Sequence, residues 1–125
     1  MHENDIASIV VDCSYRIHTT LGPGLLESVY EEALQYELAK HDLTVYHQYY
    51  FPVIYEDLYK EYAFRVDLFV ENKVIVEIKS VEQMAKVFYK QILTYMKLSG
   101  VKLGLLINFN EPMIKNGIKR LVNNL

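Results

Sequence analysis

The residues with the clearest chemical content lie in the apolar run Val74–Ser80, where Glu77 and Lys79 are two positions apart. Side chains of a β-strand alternate between its two faces, so Glu77 and Lys79 are expected to point to the same side. An unpaired charge in a buried strand is costly. Either these charges neutralise each other or a neighbour, or Glu77 is a metal-binding carboxylate with a lysine beside it in a cleft.

A second carboxylate, Asp67, lies in the preceding predicted strand, and the polar segment 71–73 joins the two strands. A three-residue loop centred on Asn72 places Asp67 opposite Glu77 on one face, whereas a two-residue loop would put Asp67 on the wrong face. Asparagine tolerates the left-handed conformation that such a loop requires. The hairpin is therefore predicted to bring two carboxylates together.

Opposed carboxylates repel each other unless positive charge lies between them. The same register places Arg65 opposite Lys79, and these two side chains are one source of that charge, in a purely structural network. The other is a divalent cation such as Mg²⁺, which prefers carboxylate and water oxygens. The residues alone leave both interpretations open.

Hydrophobic periodicity predicts helices at 4–20, 25–40 and 81–99 and strands at 43–56, 59–70, 74–80 and 101–109. The tail, 114–122, has apolar residues at helical spacing and is predicted to form a short helix. The strand at 101–109 is continuously apolar, which indicates burial on both faces, and the helix before it favours a crossover connection in a mixed sheet. Alternation in the strand at 59–70 predicts one face with Phe64, Val66, Leu68 and Val70, and another with Arg65, Asp67 and Phe69.

Two more polar side chains lie on predicted helices. Glu27 follows the turn Gly22-Pro23-Gly24 and is either an exposed first-turn glutamate that favours the helix dipole or a side chain directed into the cleft. Gln91 falls between Phe88 and Tyr95 on the apolar stripe of its helix. A buried amide must be hydrogen-bonded, so Gln91 is expected to satisfy backbone groups or to reach Asp67 and Glu77.

Composition limits the class of protein. The chain has 125 residues, and we expect one domain over 1–125. Cys13 is the only cysteine, which excludes an internal disulfide framework and a multi-cysteine zinc site. No apolar run approaches the roughly 20 residues that cross a bilayer, and the acidic N-terminus does not resemble a signal peptide. We therefore expect a cytoplasmic protein without membrane partners.

Charge and tyrosines are unevenly distributed. Residues 1–78 carry 5 Lys/Arg and 14 Asp/Glu, whereas residues 79–125 carry 8 Lys/Arg and 2 Asp/Glu. This division suits a phosphate-facing side opposite cation-binding carboxylates, internal pairing, or two subunits that meet through opposite charges. Six of the 11 tyrosines lie between positions 46 and 62. Such a patch is typical of a surface that stacks nucleic-acid bases, of a half-buried sheet face or of a homodimer contact.

These motifs resemble those of a known family. Asp67 followed by Glu77-x-Lys79 matches the D…(D/E)-x-K core of the PD-(D/E)XK nuclease superfamily. The segment Gly24-Leu25-Leu26-Glu27-Ser28-Val29-Tyr30 resembles the motif that names the GxxExxY proteins within it. Gln91-Ile92-Leu93-Thr94-Tyr95 is similar to the Q-x-x-x-Y helix of recombination helicase–nucleases, and residues 104–109 resemble the last core strand. The likeness extends from about residue 4 to 123.

The resemblance implies an α/β protein with a restriction-endonuclease-like, three-layer α/β/α core and a mixed central sheet. It implies Mg²⁺, for which Mn²⁺ can substitute, held by Asp67 and Glu77. The Ile78 carbonyl would be a third ligand, and Glu27 would complete the carboxylate set directly or through water. Lys79 would orient or deprotonate the attacking water and offset charge on the phosphate. Gln91 and Tyr95 would position the water, the metal shell or the nucleic-acid backbone.

The expected activity is hydrolysis of phosphodiester bonds in DNA, in preference to RNA, by a metal-activated water. The alternative is a non-catalytic module of the same fold that binds nucleic acid or assembles with other proteins, because fold does not determine function. A short chain leaves little room for a target-recognition element, so we expect either that partners supply specificity or that a homodimer builds the groove.

Overall fold

The computed structural model describes residues 1–125 and contains three α-helices, Glu3–Leu21 (α1), Glu27–Ala39 (α2) and Lys86–Ser99 (α3). Helix α1 begins with reciprocal capping bonds, in which Asn4 N donates to His2 Nδ1 and His2 N donates to Asp5 Oδ2. It ends at Gly22, whose φ of 71° lies in the region that favours glycine. No helix combines the length and apolar character needed to cross a membrane.

Five strands form one mixed sheet in the order β1-β2-β3-β4-β5: Val45–Tyr55 (β1), Leu58–Val70 (β2), Val74–Lys79 (β3), Leu103–Asn108 (β4) and Ile118–Val122 (β5). Strands β3 and β4 are parallel, and every other neighbouring pair is antiparallel. Helix α3 provides the crossover between β3 and β4, because parallel neighbours cannot be joined by a tight turn. The predicted mixed sheet is confirmed.

The sheet has a hydrophobic core on each face. Helices α1 and α2 cover one face, where Ile6, Val10, Tyr30 and Leu34 pack on residues that include Leu68, Val76, Ile78 and Leu105. Helix α3 covers the other, where Ile92 and Met96 pack against Phe69, Ile75 and Leu106. Burial of each such side chain contributes about 1.5–3 kcal/mol. The three layers and the central sheet form the predicted restriction-endonuclease-like architecture.

The β2–β3 hairpin has the predicted register. Leu68 pairs with Val76, Phe69 with Ile75 and Val70 with Val74. Glu71 and Asn72 both have φ of 54°, so the loop uses the left-handed conformation that asparagine tolerates. The register thus follows from loop length and turn chemistry.

The predicted helix at 114–122 is wrong. Residues Ile114–Gly117 form one 3₁₀ turn, and Ile118–Val122 is the edge strand β5, which pairs with β4. Without β5, the outer edge of β4 would leave a row of backbone groups unpaired, and this tertiary requirement outweighs a weak helical pattern.

The third helix begins later than predicted, at Lys86 rather than at residue 81. The side chain of Asn108 holds the segment that precedes α3. Val81 N donates to Asn108 Oδ1, and Asn108 Nδ2 donates to Val81 O. Asn108 is fully buried. The segment between β3 and α3 is therefore an anchored loop beside the end of β3.

Two glycines allow close packing, and their different surroundings predict different losses of stability when each is replaced by alanine. A Cβ at Gly117 would clash with the Asn108 backbone oxygen, whereas one at Gly104 would meet the flexible Met96 Sδ at 2.8 Å. We expect Gly117→Ala to lower the free energy of unfolding by about 3 kcal/mol and Gly104→Ala by about 1 kcal/mol, because only the side-chain contact can relax locally. Urea unfolding of the two variants measures both values, and equal costs would contradict the packing described.

Candidate functional site

Asp67 and Glu77 meet where the backbone ladder between β2 and β3 ends. Beyond the Leu68–Val76 pair, Asp67 N donates to Glu77 Oε2 at 2.8 Å, and Ile78 N donates to Asp67 Oδ2 at 2.8 Å. Each carboxylate therefore accepts a backbone hydrogen bond from the opposite strand. The predicted juxtaposition of the two carboxylates is present, and it is built into the main-chain hydrogen bonding.

Glu77 is the more deeply buried carboxylate, with 6% of its surface exposed. Burial, and then the negative charge of Asp67, raise the pKa of Glu77 to about 8, against the opposing effects of the Asp67 N–H and the Lys79 charge. Without a bound cation, this carboxyl group holds its proton near neutral pH. A nearby cation would favour the ionised form.

The basic residues near the carboxylates do not pair with them directly. The ion pairs in the structure join Lys40 with Glu37 and His47 with Glu31, so no Lys or Arg nitrogen lies within 4.0 Å of the Asp67 or Glu77 carboxylate. The direct ion-pair network considered for Arg65 and Lys79 is therefore not formed.

Lys79 and Arg65 contact aromatic rings instead. Lys79 is half-buried with Nζ 4.3 Å from the centre of the Phe88 ring, and the exposed Arg65 lies over Tyr50 at 5.9 Å. The ring quadrupole attracts each cation without neutralising it. The Lys79 ammonium thus remains available beside the carboxylates.

Helix α2 contributes a third carboxylate, Glu31, that the sequence analysis missed. Glu31 is 8% exposed and accepts a hydrogen bond from Gln48 Nε2, which also lies 3.4 Å from Asp67 Oδ1. Burial and then the charge of Asp67 raise the pKa of Glu31 above its ordinary value. The side chain of the predicted Glu27, one turn earlier, is half-exposed and makes no hydrogen bond or ion pair. Gln48 therefore links Glu31, rather than Glu27, to Asp67.

Gln48 also explains an error in the predicted faces of β2. Its φ of 54° places it in the left-handed region between the pairs His47–Leu68 and Tyr49–Val66. On one side of this point, Leu68 and Val70 pack under α1 and α2; on the other, Val66 and Phe64 pack with Phe69 under α3. The predicted common face for Phe64, Val66, Leu68 and Val70 is wrong because the alternation is interrupted opposite Gln48.

The sequence contains only a weak indication that Gln48 belongs to the site. It is an uncharged amide between His47 and Tyr49 in a strand otherwise rich in aromatic residues. A glutamine is an unusual choice for a left-handed position, since glycine and asparagine are the residues that adopt it readily. Its backbone conformation was therefore not predictable from residue type.

Tyr95 lies near the carboxylates, but Gln91 does not lie on the core face. Tyr95 is half-buried, stacks on Phe64 at 4.4 Å, and has a pKa raised by burial and then by the charges of Glu77 and Asp67. The Gln91 side chain is exposed and makes no hydrogen bond. The expectation that Gln91 is a buried, hydrogen-bonded amide is wrong, because α3 packs on the sheet through its buried residues Ile92 and Met96.

The turn before α2 fixes that helix against the end of β3. The buried Tyr30 hydroxyl donates to Gly22 O at 2.6 Å and accepts from Leu25 N at 3.1 Å, while Ser80 Oγ donates to Leu25 O. Gly24 in this turn has φ of 98°, which an L side chain would strain. Gly24 and Tyr30 of the motif therefore have structural roles, in contrast to Glu27.

The oxygen donors present fit a hard divalent cation. Asp67 Oδ2 and Glu77 Oε2 accept backbone hydrogen bonds, whereas Glu77 Oε1 accepts none and Asp67 Oδ1 has only the long contact with Gln48. Gln48 Oε1 is buried without a hydrogen-bond partner. Excess negative charge and an unpaired oxygen are what a cation such as Mg²⁺ would satisfy.

The arrangement is not a preformed coordination shell. No three or more His, Cys, Asp and Glu side chains converge on a common point as metal ligands. Ile78 donates its N–H to Asp67 and buries its side chain, and a role for its carbonyl stays a prediction. Neither of the two cavities, between α1 and β5 and between α1 and α2, is lined by Asp67, Glu77 or Lys79.

The raised pKa of Glu77 predicts a pH dependence of stability in the presence of a chelator. Between the unfolded value of 4.5 and the folded value of about 8, the folded protein binds more protons than the unfolded chain. The free energy of unfolding should therefore fall as pH rises through this window, by on the order of 5 kcal/mol. Glu77→Gln, which cannot ionise, should remove most of this dependence of the unfolding free energy on pH, as measured by urea titrations at a series of pH values.

The exposed Glu82 provides the matched control, since Glu82→Gln should keep the wild-type slope. A wild-type curve with the slope of the Glu77→Gln variant would contradict the burial and charge repulsion assigned to Glu77.

Comparison with known proteins adds independent information. A family model for the PD-(D/E)XK nuclease superfamily matches residues 4–121. No significant match is found among curated proteins or among solved structures. The family match covers nearly all of the chain, including Asp67, Glu77 and Lys79. The protein belongs to the PD-(D/E)XK nuclease superfamily.

Proposed function

We propose that the protein is a Mg²⁺-dependent nuclease of the GxxExxY type that hydrolyses phosphodiester bonds in DNA, in preference to RNA. Membership of a nuclease superfamily supports hydrolytic activity on nucleic acid. The observation that carries the proposal is the opposed pair Asp67 and Glu77, which share a site without a direct basic partner. Such a pair is expensive to keep ionised unless a cation binds it.

In this proposal, Asp67 Oδ1 and Glu77 Oε1 hold the cation, since the other oxygen of each carboxylate is occupied by a backbone N–H. The Ile78 carbonyl is the proposed third donor. When bound, Mg²⁺ would supply Lewis acidity and a water of lowered pKa. The backbone hydrogen bonds hold both carboxylates in place, which reduces the reorganisation needed for binding.

Lys79 is proposed to act on the phosphate and the attacking water. It follows Glu77 on the same strand and has no carboxylate partner, so its ammonium can offset negative charge that develops on the phosphate. As an ammonium, Lys79 would orient the attacking water through a hydrogen bond, and as a neutral amine it would accept a proton from that water. Tyr95 and the exposed Gln91 are proposed to orient water, the metal shell or the DNA backbone from α3.

The proposed contribution of α2 is divided between two glutamates. Glu31 supports the metal site through Gln48, whose amide lies between Glu31 and Asp67. Glu27, with a half-exposed side chain, is proposed to act through water at the outer side of the site. A residue that orients a ligand through a hydrogen bond typically changes metal affinity by about 10–100-fold.

The second candidate function is a non-catalytic assembly module. The exposed aromatic residues of the β1–β2 hairpin favour it, because large exposed apolar side chains mark contact surfaces. Metal binding distinguishes the two candidates, since an assembly module has no need to retain a cation site.

We predict that calorimetric titration of Mn²⁺ detects binding to the wild type and none to Asp67→Asn or Glu77→Gln. These amide variants retain an oxygen that accepts the backbone hydrogen bond but lose the negative charge that holds the cation. Asp57→Asn, in the exposed turn of the β1–β2 hairpin, is the matched control and should bind as the wild type does. A folded wild type that binds no Mn²⁺, with or without a DNA oligomer, would overturn the nuclease proposal.

Lys79→Met should separate binding from hydrolysis. Its apolar stem preserves the packing on Phe88, so Mn²⁺ affinity should stay within about threefold while the cleavage rate falls about 10²–10³-fold. Cleavage is measured on double-stranded DNA, single-stranded DNA and RNA in parallel. Equal loss of metal binding and cleavage would assign Lys79 to the structure of the site instead.

The two glutamates of α2 can be ranked in the same calorimetric assay. Glu31→Gln should weaken Mn²⁺ binding by about 10–100-fold, because it removes negative charge next to Gln48 and Asp67. Glu27→Gln should change affinity by less than about threefold, since no hydrogen bond or ion pair links the half-exposed Glu27 side chain to Asp67 or Glu77. The reverse order would show that Glu27 is the α2 residue of the site.

A further inference from the structure

The β1–β2 hairpin extends beyond the rest of the sheet. Strands β1 and β2 pair from Val45–Val70 to Tyr55–Leu58, but β3 pairs with β2 only at residues 68–70. The stack of Phe64 on Tyr95 is the outermost aromatic contact between the hairpin and α3. Residues 52–63, here called the hairpin arm, therefore form a two-stranded ribbon with no third strand beside it.

The arm exposes large apolar side chains on both of its faces. Five of them are more than half exposed: Ile54 (73%), Tyr55 (66%), Leu58 (63%), Tyr59 (59%) and Tyr62 (64%). An isolated two-stranded ribbon is marginally stable in water, and contiguous exposed apolar surface marks contact sites. A partner that covers the arm would stabilise it.

The charge of the arm selects among partners. The arm carries Glu56, Asp57 and Glu61 against one cation, Lys60. An acidic surface repels nucleic-acid phosphates and anionic lipid headgroups. The partner that fits is a protein surface that combines positive charge with apolar side chains.

The outer face of α3 is a surface of that kind. The helix contains no acidic residue, and its exposed positions form two adjacent ridges at helical spacing: Lys86, Lys90, Leu93 and Lys97, and Val87, Gln91, Thr94 and Leu98. Val87 is 60% exposed and Leu98 is 54% exposed. Every copy of the chain thus carries both an acidic aromatic arm and a basic apolar helix face.

We propose that two copies of the chain form a symmetric dimer in which the arm of each lies on the lysine ridge of the other's α3 (Lys86, Lys90, Leu93 and Lys97), so that the neighbouring ridge with Gln91 stays uncovered. A two-fold arrangement makes the contact twice and closes the assembly.

Paired residues share a face, so Ile54 and Tyr59 lie on one face of the arm and Tyr55 and Leu58 on the other. Only one face can lie on α3, and its two or three large side chains would bury on the order of 200–300 Å². With a comparable area from α3, each partner buries about 500 Å², which is in the range of a weak interface.

The alternative of edge-to-edge pairing between two β1 strands is disfavoured. Pro52 lacks a backbone donor, and the register between β1 and β2 shifts between Phe51 and Val53. Both features interrupt the row of donors and acceptors that an added strand would need. The proposed dimer does not depend on the proposed nuclease activity.

The test is a charge-exchange experiment by sedimentation equilibrium. The arm variant combines Glu56→Lys, Asp57→Lys and Glu61→Lys, and the helix variant combines Lys86→Glu, Lys90→Glu and Lys97→Glu. We expect a dimeric wild type, dissociation constants at least tenfold larger for each variant alone, and a heterodimer of near wild-type affinity when the two are mixed. Mixing restores opposite charges at both contacts, which neither variant has by itself.

The control variant combines Lys102→Glu, Lys115→Glu and Lys119→Glu, which are exposed lysines outside α3, and should remain dimeric. A monomeric wild type would overturn the proposal. A helix variant that still dimerises would also overturn it, since arms would then contact arms or β1 edges. If a triple variant loses its circular dichroism spectrum, Glu61→Lys and Lys90→Glu are mixed in the same assay, and failure of that mixture to restore dimers overturns the proposal.

Discussion

The structure depends on one exchange of hydrogen bonds, in which the carboxylates of Asp67 and Glu77 replace the backbone ladder at the end of the β2–β3 hairpin. This exchange satisfies one oxygen of each carboxylate and holds both side chains rigidly. It also keeps two negative charges close together in a partly dry environment. Burial and the repulsion between the two charges raise the pKa of Glu77, and a bound proton or cation removes that repulsion. The same geometry therefore limits stability and supports the proposed chemistry.

The surrounding elements bring different residues to this point. Tyr30 ties the turn before α2 to its own helix, and Ser80 ties that turn to the end of β3, so Glu31 faces the carboxylates across Gln48. On the opposite face, Gly104 lets α3 approach β4 closely. The site thus draws on a hairpin and on helices from both outer layers, which a three-layer fold allows and a two-layer fold would not.

The acidic and basic parts of the sequence occupy different regions of the folded chain. Acidic residues from the first part of the sequence lie at the carboxylate site and on the hairpin arm, whereas the outer face of α3 is free of acids. These two acidic regions differ in kind. At the site, burial makes the charges costly and reactive; on the arm, solvent screens them, so they affect which surface is contacted more than how tightly it is bound.

The sequence by itself determined the features that depend on short-range geometry. Loop length and the turn preference of Asn72 set the hairpin register, and strand alternation put Asp67 and Glu77 side by side. Tertiary structure decided the rest. Whether Glu27 or Glu31 faces Asp67, and whether Gln91 is buried, depends on how each helix is rotated when it docks on the sheet. The left-handed backbone of Gln48 and the strand β5 arise because distant backbone and side-chain groups must be satisfied together, a requirement that no local pattern contains.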